Sequence, residues 1–264
     1  MLVLNLQWFG GRGSSSGTGS TSHTFTATAK ETPEVAESVK EAQAIQNFEG
    51  RETFMEYTGN GKAEERFFKN NSNADELISG MDSGTRDAFR GFTQGDFMDG
   101  KLYGGWGNLS SYQKSSARKI DAVLDRATLK RDITVVRAAD GQFLLGKGKV
   151  HATAADFEAV KGQVVKVPAY ASAGAGKTGL DIGGRLGSNR IDYRIHVPKG
   201  TGRGMWVGDR RINYWGSRQR EFLINRDTNY RIDNVRTVRG RVVVDVTVVG
   251  HEAHDYGKGG WLKW

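Results

Sequence analysis

The sequence predicts an α+β fold, with helices gathered first and strands later. Two observations carry this. Tyr112 to Leu129 places Ala117, Ile120, Val123, Leu124 and Ala127 on one side of a helix. Beyond it come runs of β-formers, the longest being VVVDVTVV from Val242 to Val249. That segregated order is the mark of α+β architecture.

The totals narrow the class further. With 264 residues, the chain has ample length for a sizeable core in one large domain or two small ones. Its 36 Gly, 3 Pro and 37% hydrophobic residues fit a loop-rich globular protein. There is no Cys, which excludes disulfides, thiolate metal sites and cysteine nucleophiles. Five scattered His without an H-x-x-x-H spacing predict no metal centre, and His251 and His254 read as a solvated tail. Charge is split: −6 over residues 1–100 and +14 over 101–264, together the chain's +8. A basic C-terminal part suggests an anionic partner: a phosphate-bearing cofactor, nucleic acid or an acidic protein.

Taken in order, Met1 to Phe9 is apolar but far below the roughly 20 residues of a membrane span, and it lacks a basic leader. No signal peptide and no membrane contact are expected. Gly10 to Thr28 is rich in Gly, Ser and Thr, so residues 1–30 read as a flexible tail. This opening is similar to the starts of phage-encoded head-associated proteins. The likeness implies a virion or prophage setting, or delivery into a host cytoplasm. Thr32-Pro33-Glu34 then reads as a helix start, and a helix to about Phe48 is expected. Residues 31–104 read as an acidic helical region packed on the main domain. Their aromatics, including Phe67, Phe68, Phe89 and Phe92, are assigned to a core, because base stacking would want a basic surround.

Three strands follow the Tyr112–Leu129 helix. Ile133 to Arg137 is a strand with a guanidinium at its tip. Val164 to Tyr170 is the second, followed by Ala171-Ser172-Ala173-Gly174. Tyr193 to Gly200 is the third, stopped by Pro198 and Gly200. Ala171 to Thr178 nearly spells a phosphate-binding loop, but Ala171 stands where the first Gly belongs and the following residues make a poor helix. That reading is set aside.

The decisive stretch is Ser217 to Ile232. If Gln219 and Glu221 lie on a strand, an amide and a carboxylate project side by side from one face. The run QREFLINRDTNYRIDNV resembles the Q-x-E segment of mono-ADP-ribosyltransferases, specifically bacterial exoenzymes that modify Rho GTPases. Gln219, Glu221, Arg226, Tyr230, Ile232 and Asp233 carry the match. The Tyr112–Leu129 helix is also similar to the family's, with Asp121 where Asn is usual. Arg137 stands where the family clamps the phosphates of NAD. Tyr170 and Ser172 match the aromatic-x-Ser-Thr-Ser motif, while Ala173 and Gly174 depart from it.

The resemblance implies a catalytic domain over residues 105–250, followed by a tail over 251–264. It implies two roughly perpendicular, mostly antiparallel sheets forming an NAD cleft. NAD would be the substrate, with no metal. Glu221 would be catalytic, Ser172 would orient it, and Arg137, Ser172, Tyr170 and Glu221 would contact NAD. Gln219, with Tyr214 and Trp215, would meet the acceptor: a protein, with a host GTPase-like target in view, and asparagine favoured by Gln219. Arginine or guanine in DNA are the alternatives. A second reading is a catalytically inactive member of the fold with a structural role in a phage head.

Overall fold

The structure is a computed structural model, and it describes residues 61–95, 98–174, 186–216, 220–251 and 254. All lie within one compact unit, Glu49–Trp264. The expected helix at 32–48 and the stretch resembling phage proteins lie outside the described residues.

Helices come first, two of them bounded by capping chemistry. They are α1 (Gly61–Asn71), α2 (Ala74–Gly80), α3 (Ser83–Gln94) and α4 (Met98–Leu102), then a 3₁₀ turn (Trp106–Asn108) and α5 (Ser111–Leu124). Asp82 caps α3 by accepting from the Thr85 amide at 2.6 Å. Gly95 ends it at φ 105°, a conformation that costs a glycine little. Ser110 and Gln113 form a reciprocal capping box on α5. The predicted apolar face of α5 is buried throughout: Ala117, Ile120, Val123 and Leu124 have no more than traces of exposure.

Strands follow: β1 (Thr128–Leu129) and β2 (Ile133–Ala139). After two short helices, α6 (Gln142–Leu145) and α7 (Ala154–Glu158), come β3 (Val164–Val167), β4 (Ala171–Gly174), β5 (Ile191–Val197), β6 (Gly200–Thr201), β7 (Gly204–Trp206), β8 (Glu221–Ile224), β9 (Thr228–Val238) and β10 (Arg241–Gly250). Apart from a small β1–β6 ladder, pairing is continuous through one sheet, in the order β3-β9-β10-β5-β2-β4-β8-β7. It is antiparallel except for β10 with β5. The expected two sheets are thus linked. A five-strand part and a three-strand part are joined by a single residue pair, Val136 with Gly174.

The expected strand Val164–Tyr170 divides in two. Val164 to Val167 pairs with β9 at one edge of the sheet, whereas Ala171 to Gly174 pairs with β8 in the other part. Pro168 sits between them. It has no amide hydrogen to continue the ladder, which suits a chain crossing from one part of the sheet to the other.

Two cores flank the three-strand part. Phe222 and Ile224 of β8 belong to one, with Phe68, Trp206 and Tyr230; Leu223 points into the other, with Phe89, Phe92, Ile120 and Tyr170. A strand buried on both faces reads as a continuous apolar run, as FLI does here. Each such side chain contributes about 1.5–3 kcal/mol of burial. This packing holds rigid the strand that begins at Glu221. His251 and His254 are not solvated as expected. Their side chains are 2% and 7% exposed and lie against Asp125, the C-cap of α5.

Candidate active site

Strand register explains why Arg137, Ser172 and Glu221 meet. Val136 pairs with Gly174, and Gly174 pairs with Glu221, so one row crosses β2, β4 and β8. Strands about 4.8 Å apart put the first and third members of that row roughly 10 Å apart. Arg137 follows Val136 at the seam between the sheet parts. Glu221 opens β8, directly preceded by Arg220 at φ 48°. A non-glycine residue there is uncommon, and it turns the chain sharply into the strand.

The partner of Glu221 across the ladder is Gly174, which has no side chain to fill the space. Ser172, two residues along and opposite Leu223, reaches diagonally instead. Its hydroxyl donates to Glu221 Oε1 at 2.7 Å. The Asn213 amide Nδ2 donates to Oε2 at 3.1 Å. Arg137 Nη1 donates to the Ser172 carbonyl at 2.7 Å, and its guanidinium lies 5.0 Å from the Phe143 ring centroid, a cation–π contact. The three expected residues therefore form one connected chain.

Electrostatics at this seam are finely opposed. Glu221 is 3% exposed, and burial pushes its carboxyl above the ordinary value; the bonds from Ser172 and Asn213 and the charge of Arg137 pull the other way. Asp99, on α4, is pushed up to about 7 by burial, against the pull of Arg137 and with the added repulsion of Glu221. Its Oδ1 has no hydrogen-bond partner among the described residues. Arg137 Nε is likewise buried without a hydrogen-bond partner among the described residues.

In front of this chain lies a cleft of about 590 Å³. Arg137 and Ser172 form one side; Tyr103, Asn108 and Lys101 come from the helical region, and Gln142, Phe143 and Lys147 from α6 and its flank. Glu221 sits directly behind Ser172. The volume falls within the usual range for small-molecule and cofactor sites. Three cations line the cleft, Lys101, Arg137 and Lys147, which suits a diphosphate.

Other expected residues fall elsewhere. Tyr170 does not face the cleft. Its ring is 1% exposed and packs edge-on against Phe92, and its hydroxyl is 2.5 Å from Asp121 Oδ1, so an aromatic that was expected to touch the cofactor is a core residue. Asp121 also takes a bidentate grip from Arg226, at 2.9–3.1 Å, joining α5 to the turn after β8. Tyr214 and Trp215 are exposed, 63% and 47%, with their rings in edge contact. Gln219 lies outside the described residues, as do Lys177 and Thr178 of the near phosphate-binding loop. Asn213 and Asp99 were not singled out in the sequence. Asn213 stands in an irregular turn eight residues before Glu221, a spacing with no periodic signature. Asp99 is one acid in a net acidic segment.

Residues 103–251 match the family described as ADP-ribosyltransferase exoenzyme. The chain belongs to the ADP-ribosyltransferase exoenzyme family. As a member it is an enzyme of the class that uses NAD as its ADP-ribose donor. Among solved structures, the exoenzyme is similar to Plx2a, an ADP-ribosyltransferase toxin from Paenibacillus larvae. Identity is 20% and the TM-score 0.59, over 72% of this chain and 96% of that one. The Clostridium limosum C3 exoenzyme matches at 17% identity and TM-score 0.56, over 75% and 98%. C3stau2 from S. aureus, solved with NAD, matches at 16% and 0.52, over 67% and 93%. At these identities the structures speak for the fold. A search of curated proteins finds no match. No described helix is long and apolar enough to cross a membrane.

Proposed function

We propose that this exoenzyme transfers ADP-ribose from NAD to a protein side chain, with asparagine the favoured acceptor, and that Glu221 is the catalytic carboxylate. The observation that carries the reading is the connected chain Arg137–Ser172–Glu221, whose first two members line the cleft.

In the reaction, the bond between ribose C1′ and the nicotinamide nitrogen breaks, and nicotinamide leaves with the electron pair. Positive charge grows on the ribose, as in glycoside hydrolysis. Glu221, ionised and shielded from water, stabilises that charge and accepts a bond from a ribose hydroxyl. The cationic nicotinamide end of NAD itself favours the ionised carboxylate that burial opposes. Ser172 and Asn213 each hold one carboxylate oxygen, fixing the rotamer. Arg137 grips the diphosphate and orients the scissile bond. The acceptor nitrogen attacks C1′, forming the N–C1′ bond, and releases its proton to water. In this reading Gln219 positions the incoming amide, and the Tyr214–Trp215 pair offers an exposed ring surface to the acceptor protein.

Incubation with labelled NAD and lysate, with and without nuclease, tests the whole reading. Label is expected in a protein band, insensitive to nuclease and absent with Glu221→Gln. Label lost on nuclease treatment would move the acceptor to nucleic acid. Wild-type transfer by Glu221→Gln would remove Glu221 from the chemistry.

A further inference from the structure

We propose that Asp125, His251 and His254, with the amide oxygen of Asn225, form a binding site for one divalent transition ion of the zinc class, at the C-terminal end of α5, outside the cleft lining and independent of the transfer reaction. Ligating atoms of the first three residues lie within 4.8 Å of one another. Asp125 Oδ1 is 2.9 Å from His251 Nε2 and 3.1 Å from His254 Nδ1. Ligands held about 2.0–2.1 Å from a common ion stand roughly 2.9–3.4 Å apart at right-angled to tetrahedral geometry. The two distances from Asp125 Oδ1 already have those spacings.

Proton bookkeeping at the cluster points the same way. The Asn225 terminal amide atom is 2.8 Å from Asp125 Oδ1 and 2.9 Å from His251 Nε2, which are themselves 2.9 Å apart. An ionised carboxylate only accepts. If Nε2 is protonated it can donate to Asp125, but then it opposes the amide N–H. If Nε2 is bare it can accept from the amide, but then its lone pair faces the carboxylate. Turning the amide sets its oxygen against Asp125. No arrangement of protons satisfies all three contacts. A cation among them does, because each then presents a lone pair to it, with the Asn225 oxygen turned inward.

Two further observations support a ligand here. Asn225 is fully buried, yet its Oδ1 has no partner among the described residues. His254 Nδ1 faces Asp125, and its Nε2 lies 3.3 Å from Asp227 Oδ2. A carboxylate near the outer nitrogen of a ligating histidine raises ligand basicity at metal sites. Imidazole, carboxylate and amide oxygen suit zinc and its neighbours better than a hard alkaline-earth ion. The ligands come from the end of α5, the turn after β8 and the segment after β10, so an ion would staple the C-terminal segment to the domain.

The test is a titration of the full chain with Zn(II) and, separately, Co(II). One equivalent is expected by dialysis and metal analysis, with a Tm rise of about 5–10 °C at 100 times Kd. His251→Gln and Asp125→Asn should each weaken binding at least tenfold, whereas His151→Ala, at an exposed histidine, should not. On wild-type protein, paramagnetic shifts from Co(II) should appear on the His251 and His254 rings, a readout that needs no variant to fold. Absence of stoichiometric binding, or equal binding by wild type and the variants, would overturn the site in favour of an ion-free hydrogen-bonded cluster.

Discussion

Ser172→Ala and Asn213→Ala, alone and together, test how Glu221 is held. Glu221 has two oxygens and one donor on each, at 2.7 Å and 3.1 Å. A hydrogen bond to a charged group contributes about 1.5–3 kcal/mol, and the shorter bond belongs at the upper end. Both bonds favour the ionised carboxylate, so losing either donor should raise the Glu221 pKa further, the Ser172 hydroxyl more than the Asn213 amide. If the ionised form is the active one, the acid limb of the kcat/KM profile for nicotinamide release moves to higher pH in the same order. The rotamer is also freed, so kcat/KM at the plateau should fall about 10–150-fold for Ser172→Ala and roughly 5–10-fold for Asn213→Ala. The two donors share one carboxylate, and their effects should couple by about 0.5–3 kcal/mol in the cycle. Nicotinamide release measured from pH 4.5 to 9 reads all of this. Folded variants whose acid limb coincides with wild type would refute the claim that these donors tune and hold the catalytic carboxylate.

Asp99→Asn addresses the acid on α4 near Glu221 and Arg137. A folded value raised to about 7 from 3.8 means that stability present at low pH is lost as pH climbs from about 4 through 7. The amide should remove that slope and raise unfolding free energy at pH 8 by about 2–4 kcal/mol, read by urea melts at pH 4, 6 and 8. Asp121→Ala leaves the Arg226 guanidinium, stacked on Trp106, with Asp227 as a remaining carboxylate, and should cost about 2–4 kcal/mol by chemical denaturation. Trp215→Ala should reduce labelling of protein at least tenfold while NAD glycohydrolysis stays within about twofold, since the ring is exposed and outside the cleft lining.

Much of this was legible where a local rule governs. The α5 face followed from apolar spacing, and β10 from alternating Val. Arg137, Ser172 and Glu221 could be singled out because the family motifs name residue types at fixed spacing. What escaped depends on long-range register. The break at Pro168 could be seen as a proline, but not that the two halves of the stretch would pair at distant places in one sheet. Tyr170 carries the motif's aromatic, yet its neighbour Ala171 lies in the opposite core, and only tertiary packing sends the ring toward Asp121. His251 and His254 follow the last strand in a Gly-rich stretch that reads as solvated. Their burial comes from Asp125, more than a hundred residues away.

The departure at Ala173-Gly174 takes on a different meaning once the register is known. With Gly174 directly across from Glu221, a hydroxyl-bearing side chain there would stand beside the carboxylate; its absence removes one potential donor and opens space. The Asn213 amide supplies a donor from another direction, and its own orientation is fixed because Oδ1 accepts the Trp215 amide hydrogen at 2.8 Å. One side chain thus ties the Glu221 carboxylate to the turn that carries the exposed rings. Movement of that turn on meeting an acceptor would be felt at Glu221 through a single bond. Asn213→Ala should therefore reduce transfer to protein more than it reduces hydrolysis of NAD, and the ratio of the two rates, measured on one preparation, is the quantity that separates this coupling from a simple loss of carboxylate stabilisation.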